Sequence, residues 1–340
     1  MFRIDITKTL SQTTGSIKRL SAFNPFTIRK KGRRTKAIFA LLLVCFLWGT
    51  TWVAAKEGVK HMPAMQMAGL RQLFAGLLYV IFFIIKGAKF PRGKEWIPVI
   101  VLSILNFALS NGLSNWGIQH ISAGLGAIIA AIFPLWLVLI GLFTSAKKIP
   151  TKAIIGLLVG FAGVCIIFSE HFLDFLISDF RFGIFLSLTA SLTWALATLY
   201  TKHTAADFNP YFSLGLQMVI SGTVILLITK ATNSPQVKSF IPLQDIPIRS
   251  WLSIVYLVIF SSAIAFVAYL YALQNLPTEQ VSIYAYINPI VAVLLGWILF
   301  NEHVSILLTV GGAVILTGVY LVNKAFKARS PMKQPETEGM

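Results

Sequence analysis

The chain has 340 residues, of which 56% are hydrophobic and only 12% are charged. Soluble domains carry about 25% charged residues, so the composition excludes an ordinary soluble protein and favours a membrane protein. The net charge of +17 is not spread evenly, because ten of the 29 basic residues lie in the first 36 positions. A basic segment beside an apolar run is typical of a cytoplasmic flank on anionic lipid, and it argues against nucleic-acid binding.

Apolar runs long enough to cross a bilayer, roughly 20 residues each, recur ten times along the chain. The predicted spans are 37–55, 65–85, 96–118, 122–143, 152–169, 182–201, 210–229, 251–274, 279–300 and 304–323. The runs lack the alternating hydrophobicity of a transmembrane β-strand, so each segment must satisfy its own backbone as a helix. The sequence predicts an all-α integral membrane protein with ten transmembrane helices.

The loop charges predict the orientation of these helices. Lysines and arginines cluster before the first span and in the loops between spans 2 and 3 and between spans 4 and 5, which places those segments in the cytoplasm. The loop between spans 7 and 8 fits less well, because it is predicted outside yet is basic. Residues 1–36 are a cytoplasmic tail or an organellar targeting segment, and residues 324–340 are a cytoplasmic C-terminal tail.

The chain contains an internal duplication. Residues 96–164 match residues 251–319 without a gap, and a weaker match joins spans 1 and 6. The matched pairs are Trp96 and Trp251, Gln119 and Gln274, Pro134 and Pro289, Gly141 and Gly296, Gly156 and Gly311, Gly163 and Gly318, and, in spans 1 and 6, Trp48 with Trp194 and Lys56 with Lys202. The repeat unit has five helices, with copies at 37–170 and 181–323. Because five is odd, the second copy is inverted across the membrane, as in many transporters.

The repeated prolines and glycines predict different roles. Pro134 and Pro289 lie inside spans 4 and 9, where proline frees a carbonyl and kinks a helix. They are either packing kinks or matched kinks that open a cavity between the repeats. The glycines of spans 5 and 10 allow close helix approach in lipid. These two spans are therefore predicted to be supporting helices or the interface of a homodimer, and not part of a substrate site.

Polar and aromatic side chains inside the spans are the substrate-site candidates. The predicted substrate-binding residues are Trp48, Trp52, Arg71, Asn111, Asn115, Trp194, Tyr269, Tyr284 and Asn288. Arg71 is a charge inside an apolar run, and such a residue is a functional candidate by default, although its long side chain could also reach the outer surface. A mostly apolar site with a few amides and aromatic rings suits a small amphipathic solute.

Several chemistries find no support in the sequence. It contains no P-loop for ATP, no spacing of metal ligands and no convergent acid, base and nucleophile, so no cofactor, no metal and no enzymatic activity are predicted. Acidic residues occur only at the ends of spans, which leaves ion coupling open, with Glu279 as a fallback candidate. The lack of clustered basic residues within the spans argues against phosphorylated substrates.

Three stretches resemble the EamA-type transporters of the drug/metabolite transporter superfamily. They are Phe46–Trp52 in span 1, Pro289–Gly296 leading to Asn301 and Glu302, and Val310–Gly318 in span 10. The resemblance covers roughly residues 37–323 and implies two inverted five-helix repeats around a cavity lined by helices 1–4 and 6–9. Family members often carry a Glu after span 4 that corresponds to Glu302, whereas this chain has Lys147 there.

Together, the residues and the resemblance predict a secondary transporter in the inner (plasma) membrane, with both termini in the cytoplasm. It would move a small amphipathic metabolite or amino acid, in the export direction, by alternating access through a central cavity. A non-transporting membrane scaffold or receptor is the alternative function. That alternative has no need for paired mid-span prolines or for amides inside the membrane.

Overall fold

The structure is a computed structural model that describes residues 30–144, 150–170, 174–204, 209–234, 238–276, 281 and 284–327. These residues form helices, turns and loops, and no strand occurs among them. Seven helices are α1 (Lys30–Val59), α2 (Ala64–Ile85), α5 (Thr151–Glu170), α6 (Ser178–Thr204), α7 (Pro210–Ala231), α9 (Tyr284–Phe300) and α10 (Ile306–Lys327). Three are composite: α3 (Trp96–Leu102, Ser103–Gly112, Leu113–His120), α4 (Ala123–Ala130, Phe133–Thr144) and α8 (Ile248–Tyr256, Leu257–Ile264, Ala265–Asn275).

Within the described ranges, nine helices are long and apolar enough to cross a membrane, and α9 contributes a shorter apolar helix. The prediction of an all-α membrane protein of about ten helices is therefore confirmed. The helix ends differ from the predicted spans by a few residues. Helix α1, for example, is already helical at Lys30, because its backbone hydrogen bonds continue past the point where the apolar side chains begin. Residues 1–29, residues 328–340 and the predicted start of span 9, with Glu279, lie outside the described ranges.

The packing of the helices follows the internal duplication. Helix α2 packs along α7, α5 packs along α10, and α4 contacts α9, so each of these pairs joins matched helices of the two repeats. Helix α1 packs on α8 and α9, while its match α6 packs on α3 and α4. Exchanging the two repeats reproduces these pairings. The bundle therefore has the pseudo-twofold arrangement expected of a duplicated five-helix unit.

Glycines hold α5 and α10 together. A Cβ atom on Gly156 would lie 2.8 Å from the carbonyl oxygen of Gly318, and one on Gly163 would lie 2.7 Å from that of Gly311. Side chains at these positions would collide with backbone, which cannot move aside without shifting a whole helix. The prediction of a packing role is confirmed. Because these glycines face a helix of the same chain, this surface is not free to form a homodimer, and a dimer through another surface stays a prediction.

The same device joins α2 and α7. A Cβ atom on Gly76 would lie 2.8 Å from the carbonyl oxygen of Gly215, and one on Gly222 would lie 2.8 Å from that of Gly69. Gly69 and Gly215 are 146 positions apart, as are Gly76 and Gly222. This spacing is the one that relates Trp48 to Trp194, so the duplication extends through the second helix of each repeat.

Two irregularities in the helices mark the centre of the bundle. Helix α4 is interrupted at residues 131–132, two residues before Pro134, whereas α9 continues through Pro289. Helices α3 and α8 each contain a π-helical segment, at Ser103–Gly112 and Leu257–Ile264. The two segments overlap when the repeats are aligned. A π-helical segment shifts hydrogen-bond partners, leaves carbonyl groups available and is frequent at functional sites.

Candidate substrate cavity

A cavity of about 180 Å³ lies between the two repeats, where α1, α2, α3, α4, α6, α8 and α9 meet. Its walls consist mostly of aromatic rings and small apolar side chains, with hydroxyls, amides and one guanidinium among them. The lining residues are Trp48, Thr51, Trp52, Ala55, Arg71, Ser110, Asn111, Ser114, Asn115, Ile118, Gly126, Ala127, Ala130, Ala131, Phe133, Ser187, Ala190, Ser191, Trp194, Ser261, Phe266, Tyr284, Ala285, Asn288 and Pro289. Helices α5 and α10 contribute no lining residue among those described.

Eight of the nine residues proposed from the sequence line this cavity. They are Trp48, Trp52, Arg71, Asn111, Asn115, Trp194, Tyr284 and Asn288. Tyr269 does not line it and instead supports the wall from behind. Of the two prolines, Pro289 lines the cavity. Pro134 does not, but the preceding residue, Phe133, does. The break in α4 and the proline in α9 thus both lie next to the space that they were expected to open.

Aromatic packing fixes the position of Trp48. Its ring centroid lies 5.3 Å from Phe266, 5.0 Å from Tyr269 and 5.0 Å from Tyr284. Edge-to-face and tilted arrangements at these distances are favourable for aromatic rings. The indole nitrogen of Trp48 also donates to the carbonyl oxygen of Ser261, at 3.2 Å. One face of the cavity is therefore a rigid aromatic wall built from α1, α8 and α9.

The π-helical segments supply acceptors to neighbouring helices at matched positions. The amide nitrogen of Gln72 donates to the carbonyl of Phe107 at 2.9 Å, and the hydroxyl of Tyr79 donates to the carbonyl of Ser262 at 3.1 Å. Phe107 and Ser262 are 155 positions apart and correspond in the two repeats. Both donors lie on α2. This one helix therefore forms hydrogen bonds with the π-helical segment of α3 and with that of α8.

Arg71 lies inside the bundle, with 6% of its surface exposed. Its Nη2 donates to the hydroxyl of Ser261 at 2.9 Å, and its Nε donates to the hydroxyl of Ser262 at 3.2 Å. The hydroxyl of Thr51 donates to Ser261 as well, at 2.8 Å. The side chain does not extend to the surface, so the snorkelling alternative is wrong.

The three candidate amides are partly engaged with backbone. Asn111 donates to the carbonyl of Asn106 at 2.8 Å, and Asn115 donates to the carbonyl of Asn111 at 2.7 Å. With its amide nitrogen turned toward the nearest acceptors, Asn288 donates to the carbonyls of Tyr284 and Cys45, each at 3.0 Å. The side-chain oxygen of Asn115 is buried and has no partner within the described ranges, which leaves it available to a solute or a water molecule.

The sequence analysis missed several lining residues. Ser187 and Ser191 on α6 line the cavity, and neither hydroxyl oxygen has a partner among the residues described. They are four positions apart and therefore share one face of a helix, which is the signal that could have found them. Ser261 was missed because serine bonds readily within its own helix in membrane spans. Ser261 lies in the π-helical segment of α8 where it contacts Arg71, and a π-helical segment cannot be predicted from a residue pattern.

Two charged side chains, Lys56 and Glu302, bind helix termini at the end of the bundle that is predicted to face out. The amine of Lys56 donates to the carbonyls of Ile118 and Ile121, at 2.6 and 2.7 Å, where α3 ends. The carboxylate of Glu302 accepts from the backbone nitrogens of Ala123 and Gly124, at 2.9 and 3.3 Å, where α4 begins. Each charge has the sign that complements its helix terminus. The two residues tie α1 and the loop between α9 and α10 to the turn between α3 and α4.

Comparison with known proteins identifies the architecture. The model of the EamA-like transporter family matches residues 35–169 and again residues 181–324. The chain belongs to the EamA-like transporter family. The two matches cover the two five-helix units, and the EamA chain is accordingly a membrane transporter by family and not a member of an enzyme family.

Named relatives of this EamA chain come from bacteria and a plant. The inner membrane transporter YedA of Escherichia coli, described as uncharacterized, is 29% identical over 84% of this chain and 89% of its own length. The uncharacterized transporter YvbV of Bacillus subtilis is 28% identical over 87% and 94%. The chloroplastic WAT1-related protein At3g02690 of Arabidopsis thaliana is 29% identical over 82% and 67%. A solved crystal structure at 17% identity has a TM-score of 0.58 over 85% of this chain and 97% of that chain, which supports the fold.

Proposed function

We propose that this protein is a secondary transporter that exports a small amphipathic metabolite or amino acid by alternating access through the central cavity. The observation that carries the proposal is the position of the cavity: it lies at the interface of two inverted repeats, beside a broken α4 and a proline-containing α9. Binding sites of inverted-repeat transporters lie at such interfaces, next to discontinuous helices.

The lining supports an amphipathic solute. Tryptophan, phenylalanine and tyrosine form most of the large surfaces, and the polar atoms without a partner among the described residues include the hydroxyls of Ser187 and Ser191 and the amide oxygen of Asn115. A mostly apolar site with few convergent polar groups binds small organic molecules. A cavity of about 150 Å³ can hold benzene, so about 180 Å³ suits a solute with one ring or a short chain.

We also propose a location in the plasma membrane with both termini in the cytoplasm. The basic segment up to Lys36 and the loop charges support this orientation, and the printed name of the Escherichia coli relative places that protein in an inner membrane. The chloroplastic name of the plant relative keeps the targeting alternative for residues 1–36. A reporter fused to the C-terminus and assayed in spheroplasts tests the orientation: the reporter should be protected from external protease.

The decisive experiment is solute flux into liposomes that contain the purified protein. We expect saturable uptake, and accelerated exchange, for at least one solute in a panel of small aromatic and aliphatic metabolites. Asn115→Ala should raise the KM for that solute by about two- to tenfold, because one hydrogen bond is worth about 0.5–1.5 kcal/mol. Asn111→Ala and Asn288→Ala should act in the same direction.

A matched control separates binding from general damage. Thr317 lies on the exposed face of α10 and bonds only within its own helix, to the carbonyl of Ala313 at 2.8 Å. Thr317→Ala should leave flux unchanged. Unchanged flux in all three asparagine variants would remove those residues from the site, and absence of saturable movement for every solute would favour the scaffold or receptor alternative.

A further inference from the structure

The guanidinium of Arg71 is a buried cation that has no acidic partner among the residues that the structure describes. Only hydroxyl oxygens, those of Ser261 and Ser262, accept its hydrogen bonds. Glu57, at one end of the bundle, pairs with Lys60, His61 and Arg249, and none of the described residues forms an ion pair with Arg71. Buried charges in membrane proteins are normally paired or serve a substrate or ion pathway. The energetic requirement for a counter-charge at Arg71 is therefore unmet within the described parts of the chain.

The free donors of Arg71 belong to a residue of the cavity wall. A guanidinium has five N–H donors, and two are used, one on Nε and one on Nη2. Three donors remain, including both on Nη1. The bonds to Ser261 and Ser262, and that from Thr51 to Ser261, hold the group in one orientation. A fixed guanidinium fork with free N–H groups matches the geometry of a carboxylate.

The rest of the lining determines which anion fits. Among the described residues that line the cavity, Arg71 is the only charged one. One positive charge balances a monoanion, whereas a phosphate dianion would keep a second, unbalanced charge in an apolar site. None of the described lining residues carries a carboxylate that could receive an ammonium group. The remaining surface is aromatic or neutral, which suits an uncharged organic body.

We propose that the transported solute is an organic monocarboxylate whose carboxylate binds Arg71, in preference to zwitterionic, cationic and neutral analogues. This inference rests on the proposed transport function and narrows its substrate class. The carboxylate lies against the fork of Arg71 beside the π-helical segment of α8, and the body of the solute lies between the aromatic walls. The unpaired oxygens of Asn115, Ser187 and Ser191 hydrogen-bond the polar substituents of that body or the waters beside it.

A binding assay on the purified full chain in detergent tests the inference without requiring transport. The probes are phenylacetate, its neutral amide phenylacetamide, phenylethylamine and phenylalanine, in chloride-free buffer at neutral pH, with binding measured from the ligand-dependent rise in melting temperature. We expect phenylacetate to bind at least tenfold more tightly than each of the other three. An amide, amine or amino acid that binds as tightly as the acid would overturn the proposal.

Variants of Arg71 assign the preference to the guanidinium. Arg71→Gln should weaken phenylacetate at least tenfold and leave phenylacetamide within about twofold, whereas a purely structural Arg71 would lower the affinity for both equally. Arg71→Lys should keep part of the preference, because it retains the charge and loses the fork. If Arg71→Gln does not fold, the comparison of Arg71→Lys with wild type on the same probe series decides. Ser261→Ala, which keeps the charge and removes one fixing bond, should reduce phenylacetate binding by a smaller factor.

The outcomes distinguish this inference from the proposed function. Selective binding of phenylacetate without flux of any solute in liposomes would support the carboxylate site and contradict the proposed transport function. Saturable flux of solutes with no preference for the acid over the amide would uphold the carrier and overturn the carboxylate site. In a separate chloride titration, stabilisation of the wild type but not of Arg71→Gln, with no stabilisation by phenylacetate, would assign Arg71 to an inorganic anion and would also overturn the inference.

Discussion

The two repeats share their packing residues and differ in most of the polar residues that face the cavity. The glycines that bring α2 to α7 and α5 to α10 occur at matched positions, and the π-helical segments of α3 and α8 overlap when the repeats are aligned. Trp48 and Trp194 both line the cavity at matched positions, but its amides are not symmetric: Asn111 corresponds to Phe266, Asn115 to Leu270 and Asn288 to Phe133.

Arg71 and Gln217 show the contrast within a single matched pair. They are 146 positions apart, on α2 and α7, and both are buried. Arg71 reaches the cavity and bonds to α8, whereas the amide nitrogen of Gln217 donates to Ser213 on its own helix at 2.9 Å. A duplicated scaffold can therefore keep its backbone contacts while one copy acquires the charged group. The lesson is that symmetry constrains the helix crossings and leaves the substrate site free to diverge.

The largest effect is expected where the symmetric packing is broken. A Cβ atom on Gly311 would lie 2.8 Å from the carbonyl oxygen of Gly163, while one on the adjacent Gly312 would meet only the flexible end of Ile128, at 3.4 Å. Gly311→Ala should lower the free energy of unfolding by about 3 kcal/mol, the upper end for overpacking, because backbone is the obstacle.

Gly312→Ala is the matched control and should cost less than about 1 kcal/mol. Reversible unfolding of the purified variants in mixed micelles measures both. Equal losses in the two variants would mean that the glycine contacts between α5 and α10 do not determine the stability of the bundle.

A smaller effect is expected at Glu302, where the repeats differ. Its carboxylate accepts from Ala123 and Gly124 at the start of α4, while the matched residue of the first repeat, Lys147, lies outside the described ranges. Glu302→Ala leaves two backbone donors without an acceptor and should cost about 2 kcal/mol. Glu302→Gln should cost about half of that, because a neutral acceptor forms weaker bonds than a charged one.

Glu57 provides the control at the same end of the bundle. It pairs with Lys60, which directly follows the end of α1, at 3.0 Å and close to the surface. Glu57→Ala should cost less than about 1 kcal/mol, as is usual for partly exposed ion pairs. The melting temperature should be highest for Glu57→Ala, lower for Glu302→Gln and lowest for Glu302→Ala. A Glu302→Ala variant as stable as Glu57→Ala would contradict the capping role.

Most of the fold could be predicted from sequence, because lipid requires every span to be an apolar helix and the duplication relates the helices in pairs. The cavity residues could be predicted in part, since polar groups and rings inside spans are costly unless they are used. Tyr269 was placed in the wall but lies behind Trp48, because spacing along a helix does not tell the first layer from the second. Lys56 was noted only as the match of Lys202, and Glu302 as a residue of the family motif after span 9. Their contacts could not be predicted, since their partners are backbone groups brought together by the turn between α3 and α4.

The smallest effect is expected at Gln217, and it tests whether the asymmetry between the repeats is specific. The side-chain oxygen of Gln217 is buried and has no partner in the described ranges, so an apolar residue of similar size removes an unsatisfied group. Gln217→Leu should change the free energy of unfolding by less than about 1 kcal/mol, and we expect the change to be an increase. It should leave the preference for phenylacetate over phenylacetamide unchanged, because Gln217 does not reach the cavity. If Gln217→Leu altered that preference as strongly as Arg71→Gln, both members of the matched pair would act on the solute, and the cavity would be symmetric in function despite its different residues.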